Sequence, residues 1–100
     1  IAQEGVARGL PIAAGTGEAR EVAIRNLGAT GLTEMFPILV SRDDVTHSKP
    51  HPETFLRCAE LMGVEPRYCQ VFEDAPAGFE AAEAAGMMIT DVTRYLVGQT

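Results

Sequence analysis

Short apolar runs alternate with amphipathic segments along the chain. A buried strand is predicted at 10–14, an apolar run that ends at Gly15-Thr16-Gly17. Residues 18–27 place apolar side chains at helical spacing, and Gly28 predicts the end of that helix. The chain is therefore predicted to open with a strand followed by a helix.

The alternation continues through the rest of the sequence. The pattern predicts a short helical turn at 31–36, a strand at 38–40, a helix that opens at 52–54 and ends at Gly63, a strand at 69–72, an alanine-rich helix at 77–85 and a strand at 87–92. Strands that alternate with helices of about ten residues indicate crossover connections. We therefore predict an α/β fold over residues 1–100, a three-layer, Rossmann-like parallel sheet with helices on both faces.

Composition narrows the functions open to the chain. With 14 acidic and 8 basic residues, its formal net charge of -6 argues against a nucleic-acid-binding surface. The sequence has no apolar run of membrane-spanning length, and its start, IAQE, lacks the features of a signal peptide. We expect a cytoplasmic protein without membrane or nucleic-acid partners. Cys58 and Cys69 lack the spacing of a zinc or redox motif and are predicted to be small core residues.

Polar residues follow the predicted strands, at the edge of a parallel sheet where ligands bind. Thr16 lies between two glycines at a strand-to-helix junction, so its hydroxyl and free backbone N–H groups could bind an anion, or Thr16 could cap the helix. Glu73 and Asp74 end a later strand. Adjacent carboxylates suit Mg²⁺, although Asp74 could equally cap the next helix beside a solvated Glu73.

Lys49 is the only lysine of the chain and lies in the proline-rich loop Ser48-Lys49-Pro50-His51-Pro52. Its ammonium could reach a phosphate as a point charge, or it could be an ordinary solvated loop lysine. His47 and His51 flank it and could be metal ligands. Since neither has a partner at metal-ligand spacing, both are interpreted as loop histidines.

Three motifs, taken in order, closely resemble those of the haloacid dehalogenase-like phosphohydrolases, in the branch of β-phosphoglucomutase, fructose-1-phosphate phosphatase and glycerol-phosphate phosphatase. The motifs are Gly15-Thr16-Gly17, Lys49-Pro50-His51-Pro52 and Val71-Phe72-Glu73-Asp74-Ala75-Pro76-Ala77-Gly78, the last followed by Ala84-Ala85-Gly86-Met87. The resemblance runs from about Leu10 to Val92. It implies Mg²⁺-dependent phosphoryl transfer through an aspartyl-phosphate, with small sugar or polyol phosphates as substrates.

The resemblance also implies a role for each matched residue. Thr16 and Gly17 would bind the phosphoryl oxygens, and Lys49 would be the catalytic lysine that stabilises charge on the nucleophile and the phosphoryl group. Asp74 would ligate Mg²⁺, and Glu73 would help to hold the metal. These residue types agree with the chemistry, because phosphoryl transfer depends mainly on positioning and charge neutralisation.

The first motif of the family, an Asp-x-Asp on the opening strand, has no match here. Asp43-Asp44 lies in a loop and lacks the glycine that follows in the family. The resemblance places the missing strand between the strands that end at Thr16 and Glu73, and the substrate-selecting cap is missing as well. We therefore expect the carboxyl-terminal part of a phosphatase or phosphomutase core, inactive alone because the nucleophile is absent.

The unfilled place in the sheet leaves two interpretations open. A missing amino-terminal segment could fill it and complete an enzyme. Alternatively, the chain could be a non-catalytic half-domain that binds a phosphorylated ligand, or that forms a homo-oligomer through the unpaired strand edges.

Overall fold

The protein is described by a computed structural model over residues 11–30 and 36–92. In chain order these residues form strand β1 (Ala13–Gly15), helix α1 (Arg20–Thr30), strand β2 (Ile38–Val40), a 3₁₀ turn (Arg42–Asp44), helix α2 (Glu53–Met62), a second 3₁₀ turn (Pro66–Tyr68), strand β3 (Gln70–Glu73), helix α3 (Pro76–Ala84) and strand β4 (Met88–Asp91). The predicted alternation of strands and helices is confirmed.

The strands form two parallel pairs. In the first, β1 pairs with β2, and Gly15 lies opposite Val40 at its end. In the second, β3 pairs with β4, and Glu73 lies opposite Asp91. Within the described part of the chain no strand joins the two pairs. The parallel sheet is therefore present as two two-stranded halves, and the outer edge of each strand is unpaired within the described residues.

Helices cover both faces of the β1–β2 pair. On one face, a Cβ at Gly15 would lie 3.0 Å from Thr54 Cγ2 and 3.2 Å from Cys58 Sγ, so α2 packs directly against the strand backbone. On the other face, Ala14 and Leu39 line a crevice together with residues of α1. Successive strand residues point to opposite faces, so the two helices lie on opposite sides. The three-layer arrangement is confirmed.

The main hydrophobic core lies between α2, α3 and the β3–β4 pair. Its buried members are Phe55, Ala59, Cys69, Val71, Ala81, Ala82, Ala85 and Met87. Both cysteines are free and buried, which confirms their predicted role in packing. Burial raises the pKa of Cys58 to about 11, so this thiol is un-ionised at neutral pH.

Helix α1 differs from its prediction at both ends. It begins at Arg20 rather than at 18, because the Glu18 N–H bonds to Thr16 Oγ1 in a separate turn. The prediction that Gly28 ends this helix is wrong, since α1 continues to Thr30. A glycine ends a helix where the backbone becomes left-handed, as Gly63 does after α2 with φ 71°.

Two further predictions concern the rest of the chain. The helical turn expected at 31–36 falls, apart from its last residue, outside the described residues. None of the helices within 11–30 and 36–92 is long and apolar enough to cross a membrane.

Candidate functional site

Thr16, the first predicted site residue, directly follows β1. Its N–H donates to Val40 O at 2.9 Å, which extends the pairing with β2 by one residue. Its Oγ1 accepts the Glu18 N–H at 3.1 Å, which leaves the hydroxyl hydrogen available to an anion. Because α1 begins only at Arg20, Thr16 is not its N-cap. Gly17 is exposed, and open space surrounds its Cα.

Lys49 connects the two halves of the sheet. Its Nζ donates to Gly15 O at the end of β1 and to Glu73 Oε2 at the end of β3, both at 3.1 Å. The ammonium also lies 4.7 Å from the ring centroid of Phe55, a cation–π contact. Only 16% of the side chain is exposed. The interpretation of Lys49 as a solvated loop residue is therefore wrong.

Both carboxylate oxygens of Glu73 have partners. Oε2 accepts from Lys49 Nζ, and Oε1 accepts from the Asp74 N–H at 3.1 Å. Burial raises the pKa of Glu73, but the Lys49 ammonium and the Asp74 N–H together outweigh it, so the pKa lies below its ordinary value. With a side chain only 14% exposed, Glu73 is not the solvated carboxylate of the alternative interpretation.

Asp74 is exposed at the end of β3. The N-cap of α3 is Ala75, and no side chain bonds to it, so Asp74 does not cap this helix. Asp74 is therefore an exposed carboxylate next along the chain to Glu73, without the capping role that the sequence left open.

Gly78, in the first turn of α3, leaves room for a side chain of the site. It is not among the functional residues predicted from the sequence. A Cβ here would overlap Cγ, Cδ and Oε2 of Glu73. Only a residue without a side chain lets α3 pass this close to the carboxylate that holds Lys49. The signal was a glycine inside a helix, where it costs about 1 kcal/mol relative to alanine and needs a reason.

Asp43 and Asp44 have structural partners. Asp43 Oδ2 accepts the N–H of Arg20 at the start of α1, at 2.8 Å. Asp44 Oδ2 accepts from the N–H and the hydroxyl of Ser41 and pairs with Arg20 Nη2 at 2.6 Å. This acidic pair therefore holds the turn after β2 against α1. Its structural role agrees with the prediction that Asp43 and Asp44 are not the Asp-x-Asp motif of the family.

The three predicted motifs meet at one end of the sheet. Gly15 and Glu73 are the last residues of β1 and β3, and Lys49 bonds to both. Thr16 and Asp74 are the next residues along the chain. A hydroxyl, an ammonium and two carboxylates thus lie at the carboxyl ends of parallel strands, where α/β sheets bind ligands. The combination suits a phosphoryl group and a cation.

Comparison with known proteins gives a consistent family match. The sequence pattern of haloacid dehalogenase-like hydrolases matches residues 4–92. Fructose-1-phosphate phosphatase YqaB of Escherichia coli K12 is 50% identical over 82 residues, which cover 82% of this chain and 44% of that protein.

Solved structures give the same result. A haloacid dehalogenase family hydrolase from Deinococcus radiodurans, solved with bound phosphate and sodium, superposes with a TM-score of 0.83 at 31% identity over 88% of this chain. The β-phosphoglucomutase of Clostridium difficile gives a TM-score of 0.78 at 28% identity over 90% of this chain. The chain covers only 39% and 40% of these two structures. It therefore spans less than half the length of each of these three relatives.

Proposed function

Because this chain belongs to the haloacid dehalogenase-like hydrolase family, we propose that it is the carboxyl-terminal part of a Mg²⁺-dependent phosphatase or phosphomutase that acts on small sugar or polyol phosphates through an aspartyl-phosphate. The single observation that carries the proposal is the position of Lys49, whose Nζ bonds to the ends of both sheet halves. The named sugar-phosphate relatives support the substrate class. Residues 1–100 would form part of one core domain, in a cytosolic protein.

In this proposal the chain's own residues bind and neutralise the phosphoryl group. Lys49 is held by Gly15 O and Glu73 Oε2, so its ammonium is fixed before substrate arrives. The free hydroxyl hydrogen of Thr16 and the exposed Gly17 N–H would donate to the phosphoryl oxygens. Preorganised donors of this kind stabilise charge that develops in a transition state.

The carboxylates fit a hard cation such as Mg²⁺. Asp74 would hold it, because its side chain is exposed at the end of β3 and does not cap α3. Glu73 would support the ion less directly, since one of its oxygens accepts from Lys49 and the other from the Asp74 N–H. The bound ion would neutralise negative charge on the phosphoryl group.

We also propose that the chain alone does not turn over substrate. The edges of β1 and β3 are unpaired within the described residues, and Lys49 connects the ends of these two strands. A further strand between them would end beside Lys49 and could carry the nucleophilic aspartate. The chain spans 44% of the Escherichia coli relative, which leaves ample length for such a strand and for a cap.

The test is a pair of measurements on the chain alone with Mg²⁺. We expect no release of phosphate from fructose 1-phosphate above that of Lys49→Ala. In NMR titrations with inorganic phosphate, the amide signals of Thr16 and Gly17 should shift, and the shifts should weaken in Lys49→Ala. Arg57→Ala removes a cation from the exposed surface of α2 and should titrate like the wild type. Turnover by the chain alone, or shifts unaffected by Lys49→Ala, would contradict the proposal.

A second candidate rests on the same unpaired edges. A strand edge with free N–H and C=O groups can pair with another copy of the chain, which would give a non-catalytic homo-oligomer. Sedimentation at micromolar concentration separates the two cases. A clean monomer that still binds phosphate favours the enzyme part, whereas a stable dimer favours the half-domain.

A further inference from the structure

Both histidines of the chain lie in one side-chain cluster outside the Lys49 site. The cluster consists of His47, His51 and Glu53, whose possible ligand atoms all lie within 4.8 Å of one another. The two imidazole rings stack with their centroids 4.6 Å apart. His47 Nδ1 lies 3.1 Å from Glu53 Oε1. We refer to these three residues as the His-Glu cluster.

The cluster has the chemistry of a transition-metal site. Two imidazoles and one carboxylate are a ligand set that binds Zn²⁺, with bonds of about 2.0 to 2.2 Å. Two such ligands on a tetrahedral ion are separated by about 3.3 Å, which follows from those bond lengths. The 3.1 Å between His47 Nδ1 and Glu53 Oε1 is already close to that separation. An ion could replace the proton that these two atoms share.

Glu53 is held in position for this role. Its Oε2 accepts the Thr46 N–H at 2.6 Å, and its Oε1 accepts the His47 N–H at 3.1 Å. Oε2 has a second lone pair left for a metal, and Oε1 regains one when the ion displaces the proton shared with His47 Nδ1. Such outer contacts orient metal ligands and strengthen binding.

His51 requires the larger adjustment. Its Nδ1 accepts the Glu53 N–H at 3.1 Å, so ligation needs a turn of the ring. The ring is free to turn because His51 is exposed, and 62% of the His47 side chain is exposed as well. Pro50 and Pro52 restrict the backbone on both sides of His51, which lowers the entropy lost when the site is ordered.

We propose that His47, His51 and Glu53 form a site for Zn²⁺ or another late first-row divalent cation, with a coordination position left open to water. Imidazole ligands favour these ions over Mg²⁺, so the site is chemically distinct from the Asp74 carboxylate. It stands independently of the proposed phosphoryl chemistry. The cysteines do not compete for the ion, because both are buried and un-ionised thiols bind metals poorly.

Metal binding would act on the loop that carries Lys49. This lysine lies between His47 and His51, so one ion would tie together both ends of the segment. The backbone amides of 46–53 should then exchange hydrogen more slowly with metal than without it.

The test is calorimetric titration of the chain with ZnCl₂, together with the absorption spectrum of the Co²⁺ form. We expect one ion per chain, visible Co²⁺ bands that report nitrogen ligation, and an affinity that a tenfold excess of Mg²⁺ leaves unchanged. His47→Asn and His51→Asn should each weaken binding by about 10-fold or more, since loss of even an outer-shell partner costs that much.

Matched controls make the outcome decisive. Both histidines are exposed, so the two asparagine variants should keep the wild-type circular dichroism spectrum. Glu65→Gln removes an exposed carboxylate whose partner is Arg67 and should bind Zn²⁺ like the wild type. The proposal is overturned if the wild type takes up no Zn²⁺ at millimolar concentration. It is equally overturned if both histidine variants bind Zn²⁺ as tightly as the wild type.

Discussion

At the scale of single residues, the position of Lys49 depends on Gly78, which has a hydrogen atom where other residues have a side chain. Glu73 can reach Lys49 Nζ only because Gly78 leaves room for its carboxylate against α3. The lysine is then held between a strand carbonyl and a partly buried acid, with 16% of its side chain exposed. A buried glycine that packs against Glu73 thus determines the geometry of the site.

Gly78→Ala should therefore destabilise the protein by about 1 to 3 kcal/mol, the usual cost of overpacking. The added methyl group must displace Glu73, which breaks its pair with Lys49. Urea unfolding measures the change. Gly17→Ala is the matched control, because its Cβ would enter open space. Equal stability of the two variants would show that Glu73 is not confined by α3.

The sequence predicted the chemical groups of the site better than their partners. Thr16, Lys49, Glu73 and Asp74 are all predictable candidates, because residue type and position in the loops after predicted strands can be read directly from the sequence. The sequence does not predict the contact of Lys49 with the carbonyl of Gly15. Every residue type has a backbone carbonyl, so the sequence does not mark which one will accept a hydrogen bond. The contact also spans 34 positions of the chain.

At the scale of elements, the turn after β2 determines where α1 begins. Asp43 accepts the first N–H of the helix, while Asp44 pairs with Arg20 and caps its own turn through Ser41. A helix start is usually capped by the residue before it. Here the cap comes from a distant loop, which explains why the local pattern placed the helix start two positions too early.

Helix α2 shows the opposite case. Its observed bounds, Glu53–Met62, agree with the prediction. Both of its ends are encoded locally, by Pro52 before the first turn and by the left-handed Gly63 after the last. Element ends are predictable from sequence where the signals are local and are missed where the partner is remote.

Asp44 gives the turn a pH dependence. Its pKa is lowered chiefly by the Ser41 N–H, against the effect of burial and with help from Arg20. A pKa lower in the folded than in the unfolded protein stabilises the fold above the unfolded value and loses that stabilisation as the pH falls. The wild type should exceed Asp44→Asn in stability by on the order of 1 kcal/mol at pH 7.

This difference should shrink below about pH 4, where the unfolded aspartate takes up its proton. Denaturant unfolding of both proteins between pH 2 and 7 measures it. Asp43→Asn, which alters the neighbouring helix contact, is the comparison variant. A difference between wild type and Asp44→Asn that stays constant with pH would contradict the assigned role of the Asp44 carboxylate.

At the scale of the whole molecule, the described residues form a sheet in two halves with apolar surface left uncovered. Phe72 and Met88, on the second pair of strands, are 47% and 51% exposed. Exposed apolar side chains beside unpaired strand edges are the kind of surface on which the proposed missing strand could pair. The chain covers 44% or less of its named relatives. This partial coverage is consistent with the proposal that a further segment completes the core.

The most direct test is to complete that core. The amino-terminal part of the Escherichia coli fructose-1-phosphate phosphatase, up to the start of its matched region, would be joined to this chain. Phosphate release from fructose 1-phosphate with Mg²⁺ is then measured for the chimera, its Lys49→Ala variant and the chain alone. We predict turnover only in the chimera, reduced at least about 100-fold in the variant, the typical effect of losing a charge-stabilising donor. Turnover by the chain alone, or turnover by the chimera that does not depend on Lys49, would contradict the central claim.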